Sequence, residues 1–373
     1  MNRLNQIGNR FKSSIGSELV KCKQISSLEL NLMKNNLGDK FISDLCMELK
    51  NFRNLSALKL DLYLNYIDSQ LASDLSFRLS KLVNLTTLNL QIDCNDIQDQ
   101  GASDLGSGIS QLVNIEHLVI SLNMNQITSV GSSKLISQLK KCEKISYLSL
   151  FFNLNKIDDH GAQEIGSELA KFSSLSYLNI DLGNNQIGDL GLSQFSSSLT
   201  KSQKLQKLLL GFKSDKITDQ GASALGTELA KCGNLQNLHL YFYPYSLDDQ
   251  ELTYLGTGLT KCTNLSILKF DFKFDQSITY GLSEFISGIA KLVSLSTLKL
   301  DFRRLVKKSF IVFYDNSDEE NGNNNDSDQE EDDEEEEEQI EEIDYDDIFH
   351  QENGFEVNDQ QDKNNQNLTN NNE

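Results

Sequence analysis

Residues 85–114 read LTTLNLQIDCNDIQDQGASDLGSGISQLVN. Leu88, Leu90 and Ile92 alternate, which is the period of a strand with one buried face. Asn95, Ile97, Asp99 and Gly101 follow, and then Leu105 and Ile109, four apart on one face of a helix. The thirty residues spell strand, loop and helix. Outward from this stretch the same apolar position recurs ten times without drift: Ile25, Leu55, Leu85, Ile115, Ile145, Leu175, Leu205, Leu235, Leu265 and Leu295. A fixed period of this kind marks a repeat array.

Reading down the columns sharpens each element. The column of Asp99 holds Asp39, Ser69, Ser129, Asp159, Asp189, Asp219, Asp249 and Thr279. All are good N-cap residues, so a helix is expected to start there. The column of Lys81 holds Lys21, Lys141, Lys171, Lys201, Lys231, Lys261 and Lys291, interrupted by Asn51 and Gln111. Cations there suit the negative end of the helix dipole. One unit alone cannot cover its apolar face. Stacked units bury it, with helices over one side of a continuous parallel sheet.

The pattern L-x-x-L-x-L…N-x-I-x-D-x-G-A-x-x-L-G-x-x-L-x-K, clear again from Leu205 to Lys231, resembles the leucine-rich repeat of the ribonuclease-inhibitor type. The resemblance covers about residues 7–302. It implies an α/β fold: a right-handed leucine-rich-repeat solenoid, a horseshoe with parallel strands on the concave face and helices on the convex face. It also implies that the column Asn35, Asn65, Asn95, Asn125, Asn155, Asn185 ties neighbouring loops together. That column decays to Asp215, Tyr245 and Asp275, so the ladder is expected to loosen in the last three units. The chain departs from the family by two inserted residues. They add an apolar position (Leu62, Ile92, Leu122, Phe152 and equivalents) and predict a lengthened strand. Pro244, the only proline, and Ile278, one residue out of register, fall in the same late region.

The formal charge of −21 is unevenly spread. Residues 309–373 contain 25 Asp and Glu against Lys363 alone. This leaves 30 acidic and 33 basic residues in 1–308, a net of +3. The expected organisation is an N-terminal partial repeat over 1–24, ten strand units over 25–308, an apolar capping segment over 309–314, and a disordered acidic tail over 315–373. Glu334–Glu338 and the acidic–apolar stretch Ile340–Phe349 mark the tail. Its charge disfavours nucleic acid. No signal peptide is evident, and no stretch approaches the roughly 18–20 apolar residues of a membrane span. A cytoplasmic monomer is expected, with a nuclear location as the alternative.

The repeat absorbs the tempting motifs. Cys22, Cys142, Cys232 and Cys262 share one apolar column, and no C-x-x-C occurs. Gly101-Ala102-Ser103 recurs as Gly221-Ala222-Ser223, and no G-x-x-x-x-G-K-[ST] is present. The four histidines lie in different units with no obvious acid partner in a neighbouring column. No kinase signature is found. No enzyme activity, cofactor or metal is expected.

The residues between the core-facing positions are selected by no repeat rule, so they are free to carry specificity. Aromatics and cations there are favoured contact residues. They gather at Tyr147, Phe151 and Tyr177, and later at His239, Tyr241, Tyr243, Lys269, Lys273 and Arg303. The expected function is a protein-interaction scaffold using the concave face, with the tail serving solubility or basic partners. Two layouts resemble the chain in outline: the GTPase-activating proteins of the Ran system and the acidic nuclear histone chaperones. Kinase-linked leucine-rich arrays of protist type supply a further alternative, a fragment or paralogue without the kinase domain.

Overall fold

The computed structural model describes residues 24–35, 52, 54–212, 216–242, 249–274 and 280–304. The chain divides into two compact units, Met1–Leu305 and Val306–Glu373. Every described residue belongs to the first. The expectations for Asp215, Pro244, Tyr245, Asp275 and Ile278, for the Phe310–Tyr314 cap and for the tail lie outside the described residues.

Ten strands form one sheet in sequence order: β1 (Ser27–Asn31), β2 (Ala57–Asp61), β3 (Thr87–Gln91), β4 (His117–Ser121), β5 (Tyr147–Phe151), β6 (Tyr177–Asp181), β7 (Lys207–Phe212), β8 (Asn237–Phe242), β9 (Ile267–Phe274) and β10 (Thr297–Arg304). Each pairs in parallel with the next, residue against residue thirty positions on, as Leu58 lies beside Leu88 and Leu88 beside Leu118. Among the described residues eight helices follow the strands: α1 (Ser69–Leu79), α2 (Gln98–Ile109), α3 (Ser129–Leu139), α4 (Asp159–Leu169), α5 (Asp189–Leu199), α6 (Asp219–Leu229), α7 (Asp249–Leu259) and α8 (Tyr280–Ile289). The result is the α/β solenoid that the repeat predicts.

The core is the set of repeat columns. Leu88, Leu90, Ile92, Ile97, Ala102, Leu105 and Ile109 are all fully buried, and so are their counterparts in the adjoining units. Each such side chain contributes about 1.5–3 kcal/mol. Cys142, Cys232 and Cys262 lie in this core, as their column predicts. Burial pushes their thiols up, to about 11 for Cys142 and Cys232 and about 12 for Cys262. A thiol held so high stays protonated and unreactive near neutral pH.

The asparagine column does the tying that the resemblance implies. Asn155 Oδ1 accepts from Asn125 N at 3.1 Å and Ile127 N at 2.9 Å. Its Nδ2 donates to Leu122 O at 2.9 Å and Phe152 O at 3.0 Å. Asn95 repeats the pattern on Asn65 N, Ile67 N, Leu62 O and Ile92 O. To reach these bonds the preceding residue adopts a left-handed backbone, at Lys34, Leu64, Cys94, Met124, Leu154 and Asn184, with φ between 50° and 56°.

The inserted residues lengthen the hydrogen-bonded ladder more than the strand. In β1–β6 the strand stops before the extra apolar position. The pairing still runs on, from Ile92 N to Ser121 O at 3.0 Å and from Cys94 N to Asn123 O at 2.9 Å. In β7–β9, where the column lacks asparagine, the strands lengthen to six, six and then eight residues.

One expectation is corrected. The column of Asp99 does not cap its own helix. The caps sit one residue earlier where a side chain serves, at Asp68, Thr128, Asp158 and Thr218. The carboxylate column instead reaches the helix of the next unit. Asp99 Oδ1 accepts from Thr128 N at 2.7 Å and Gly131 N at 3.1 Å, and Asp189 does the same on Thr218 N and Gly221 N. Stacked helices start side by side, so the orphan N–H groups of one lie within reach of its neighbour's first turn. Gly131 has to be glycine for this, because a Cβ there would collide with Asp99.

Asn155→Ala strands two buried N–H groups and two carbonyls. It is expected to cost about 2–4 kcal/mol, read as a lower denaturation midpoint with an unchanged m-value.

Candidate binding face

Where side chains are described, the odd-numbered residues of each strand face away from the helices, and this free face holds Tyr147, Phe151, Tyr177, His239, Tyr241 and Lys269 of the predicted contact residues. The structure sorts them into three kinds. Tyr147 and Tyr177 are half-buried. In-register parallel pairing stacks their rings at 3.9 Å and 11°. His117 joins at 5.5 Å on one side, and Lys207 Nζ lies 4.9 Å from the Tyr177 ring on the other. A cationic group over the ring face is attracted by its quadrupole. The column thus becomes a rail across β4–β7.

Phe151 and Tyr241 are not the exposed contacts that the sequence suggests: they are only 5% and 4% exposed. Tyr241 lies flat over Gly211 of the neighbouring strand, where any Cβ would strike its ring. Its hydroxyl donates to Asn179 Oδ1 at 3.2 Å, two strands away. Because a glycine leaves that slot open, the middle and late clusters are joined through one side chain. Replacing Tyr241 therefore removes a packed group, and thermal stability is expected to fall rather than stay unchanged.

His239 is corrected as well. Its Nε2 lies 2.7 Å from Asp271 Oδ2, a diagonal neighbour on the next strand. His160 also sits 3.8 Å from Glu164. The ring of His239 meets Tyr241 at 5.6 Å. Lys269 is half-buried on β9. Lys273 and Arg303 are placed in β9 and β10 by their backbone, while Tyr243 lies outside the described residues.

Three buried polar atoms on the same column have no hydrogen-bond partner among the described residues: Asn89 Oδ1, Ser149 Oγ and His239 Nδ1. A buried polar group left unpaired costs free energy. No signal in the sequence separates these positions from their solvated neighbours.

A polar chain at the strand ends was also missed. Asp93 Oδ1 accepts from Ser121 Oγ at 2.6 Å and from Asn123 N at 2.7 Å. Asn123 Oδ1 accepts from Asn153 N, and Asn153 Nδ2 donates to Asp181 Oδ2. Burial raises the Asp93 carboxyl from 3.8 to about 6, against the pull of the Ser121 and Asn123 bonds and with help from the charge of Asp61. The chain's own signal was the run of Asp, Asn, Asn and Gly in one column.

Among the described residues no group of three or more His, Cys, Asp or Glu side chains could hold a metal ion. No helix there is long and apolar enough to cross a membrane.

A family model described as "Leucine Rich repeat" matches residues 82–106 and 175–196. Among solved structures, a leucine-rich repeat protein of Leptospira interrogans is similar at 15% identity, over 77% of this chain and 87% of that one, with a TM-score of 0.32. No curated protein matches the chain.

Asp93→Asn tests the polar chain. The folded carboxyl titrates above its unfolded value, so its contribution to stability is full below about pH 4 and lost as pH rises to about 6. The amide keeps an acceptor for Ser121 and Asn123 without the charge. The variant is expected to match the parent at pH 4 and to exceed it by about 1–3 kcal/mol at pH 7, read from denaturation at both values.

Proposed function

We propose that this chain, which carries leucine-rich repeats, acts as a non-enzymatic scaffold that binds a protein partner on the free face of its sheet. The observation that carries this reading is the contrast between the two faces. Helices and core columns bury one face through β2–β9, whereas the other holds the half-buried Tyr147–Tyr177 rail. Rigid rings lose little entropy on contact, and centrally placed aromatic groups dominate binding energy. The His239–Asp271 pair and Lys269 extend the face toward β9 with charge of both signs. The acidic composition of residues 315–373 supports a role in solubility or in holding basic partners.

Affinity capture from cell extract with the full chain, followed by the Tyr147→Ser, Tyr177→Ser double variant, tests the proposal. The specific partner is expected to bind at least about tenfold more weakly, with the melting temperature of the scaffold little changed. Capture that survives this replacement and a charge reversal at Lys269 would sink the face. If the captured partner is a GTPase whose hydrolysis rate rises on binding, the scaffold reading gives way to a regulator.

A further inference from the structure

Beyond the ends of β2–β5 the chain exposes apolar side chains that the repeat does not require. Leu64, Cys94, Met124 and Leu154 share one column, and all adopt a left-handed backbone with φ between 50° and 55°. That conformation crowds a side chain against its own backbone, and glycine or asparagine tolerates it best. Asn184 stands in the same column one unit on, at φ 50°, so the fold accepts a polar residue there. Core packing does not call for apolar groups either. Met124 is 41% and Leu154 36% exposed, and Leu64 and Cys94 are half-buried.

The four side chains form one ridge. Leu64 N donates to Asp93 O at 3.0 Å, Cys94 N to Asn123 O at 2.9 Å, Met124 N to Asn153 O at 2.9 Å and Leu154 N to Gly183 O at 3.1 Å. The parallel ladder runs through the ridge residues themselves and holds them at the strand spacing, about 4.8 Å. Cys94 Sγ lies 3.4 Å from Met124 Sδ. Two rows flank the ridge on its loop side: Tyr66, Asp96, Gln126 and Lys156, then Asp68, Gln98, Thr128 and Asp158. Three carboxylates stand there against one ammonium. Asp96 accepts from the neutral amides of Gln98 at 3.0 Å and Gln126 at 2.8 Å, and Asp68 from Leu71 N at 2.8 Å. Lys156 donates to Gln126 Oε1 at 3.3 Å rather than to either carboxylate.

We propose that this ridge seats an amphipathic helix of a partner protein, apolar along one face and carrying Lys or Arg beside it. Spacing selects the helix. Its successive turns present apolar groups about 5.4 Å apart, close to the spacing of the ridge. Alternate residues of an extended strand, about 6.8 Å apart, drift by about 2 Å at every row. Charge selects the flank, because Asp68 and Asp96 attract cations and repel an anionic lipid surface. Met124 and the unbranched thiol of Cys94 adapt to the shape laid against them. The ridge lies past the strand ends, whereas the Tyr147–Tyr177 rail lies at the strand starts, so the two surfaces stand or fall separately.

A peptide of about 14 residues, four helical turns, with Leu at every third or fourth position and Lys elsewhere, tests this proposal. It is titrated into the full chain with the methionine methyl groups isotopically labelled. The Met124 methyl resonance is expected to shift, which separates the ridge from any attraction of the peptide to the acidic residues 315–373. Leu64→Asn with Leu154→Asn introduces the residue already found at 184. Its melting temperature is expected to equal or exceed that of the parent, and the affinity read at Met124 to fall at least about tenfold. Asp68→Lys with Asp96→Lys is expected to weaken the Lys peptide and to strengthen a Glu peptide of the same pattern. A Met124 methyl that the Lys peptide leaves unmoved overturns the proposal. So does unchanged affinity in the asparagine variant, or an equal response of the parent to Lys and Glu peptides. A Met124 shift that instead follows the concentration of the chain alone, or the addition of phosphatidylserine vesicles, overturns it in favour of a second copy or a bilayer.

Discussion

Everything in this array depends on a buried side-chain amide that serves two units at once. The Asn155 carboxamide satisfies backbone groups of the preceding loop with its oxygen, and carbonyls on both sides with its nitrogen. A carboxamide is short and offers both donor and acceptor, which few side chains can do in so small a volume. It works only if the next loop arrives at a fixed distance and register. The thirty-residue period therefore follows from hydrogen-bond geometry as well as from apolar packing. The left-handed residues before each asparagine are the strain accepted for that register, about 1–2 kcal/mol for each non-glycine residue.

The free face obeys a different physics. Its residues meet only their in-register neighbours, so chemically similar side chains stack into rails, and a small residue opens a slot for a large one nearby. Tyr147 and Tyr177 illustrate the first case, and Tyr241 over Gly211 the second. A surface of this kind can be rigid without belonging to the core. Its rigidity comes from contacts along the solenoid, which leave ring edges toward solvent.

The legibility of these two regions in the sequence differs for the same reason. Column periodicity revealed strands, helices and the buried cysteines, because each is selected by a rule repeated every thirty residues, while the tying role of the asparagine column came from the family resemblance. The capping carboxylates were misplaced by one residue, since an isolated unit gives no hint that Asp99 reaches Thr128 and Gly131. Tyr241 was read as exposed, because its burial depends on a glycine thirty positions earlier and an asparagine sixty-two positions earlier. The partner of His239 was missed because it lies on the diagonal rather than in the same column. What the sequence hid in each case was a side chain crossing between units.

The two kinds of crossing run in opposite directions. Carboxylates such as Asp99 and Asp189 support the helix of the unit after them, whereas asparagines such as Asn95 and Asn155 support the loop of the unit before them. Removing a unit from either end therefore leaves its surviving neighbour short of hydrogen bonds. A linear array with contacts only between neighbours would ordinarily fray inward one unit at a time. Mutual dependence at each interface raises the cost of the first break. It favours melting in blocks of several units, so the domain gains cooperativity over a length that no single repeat spans.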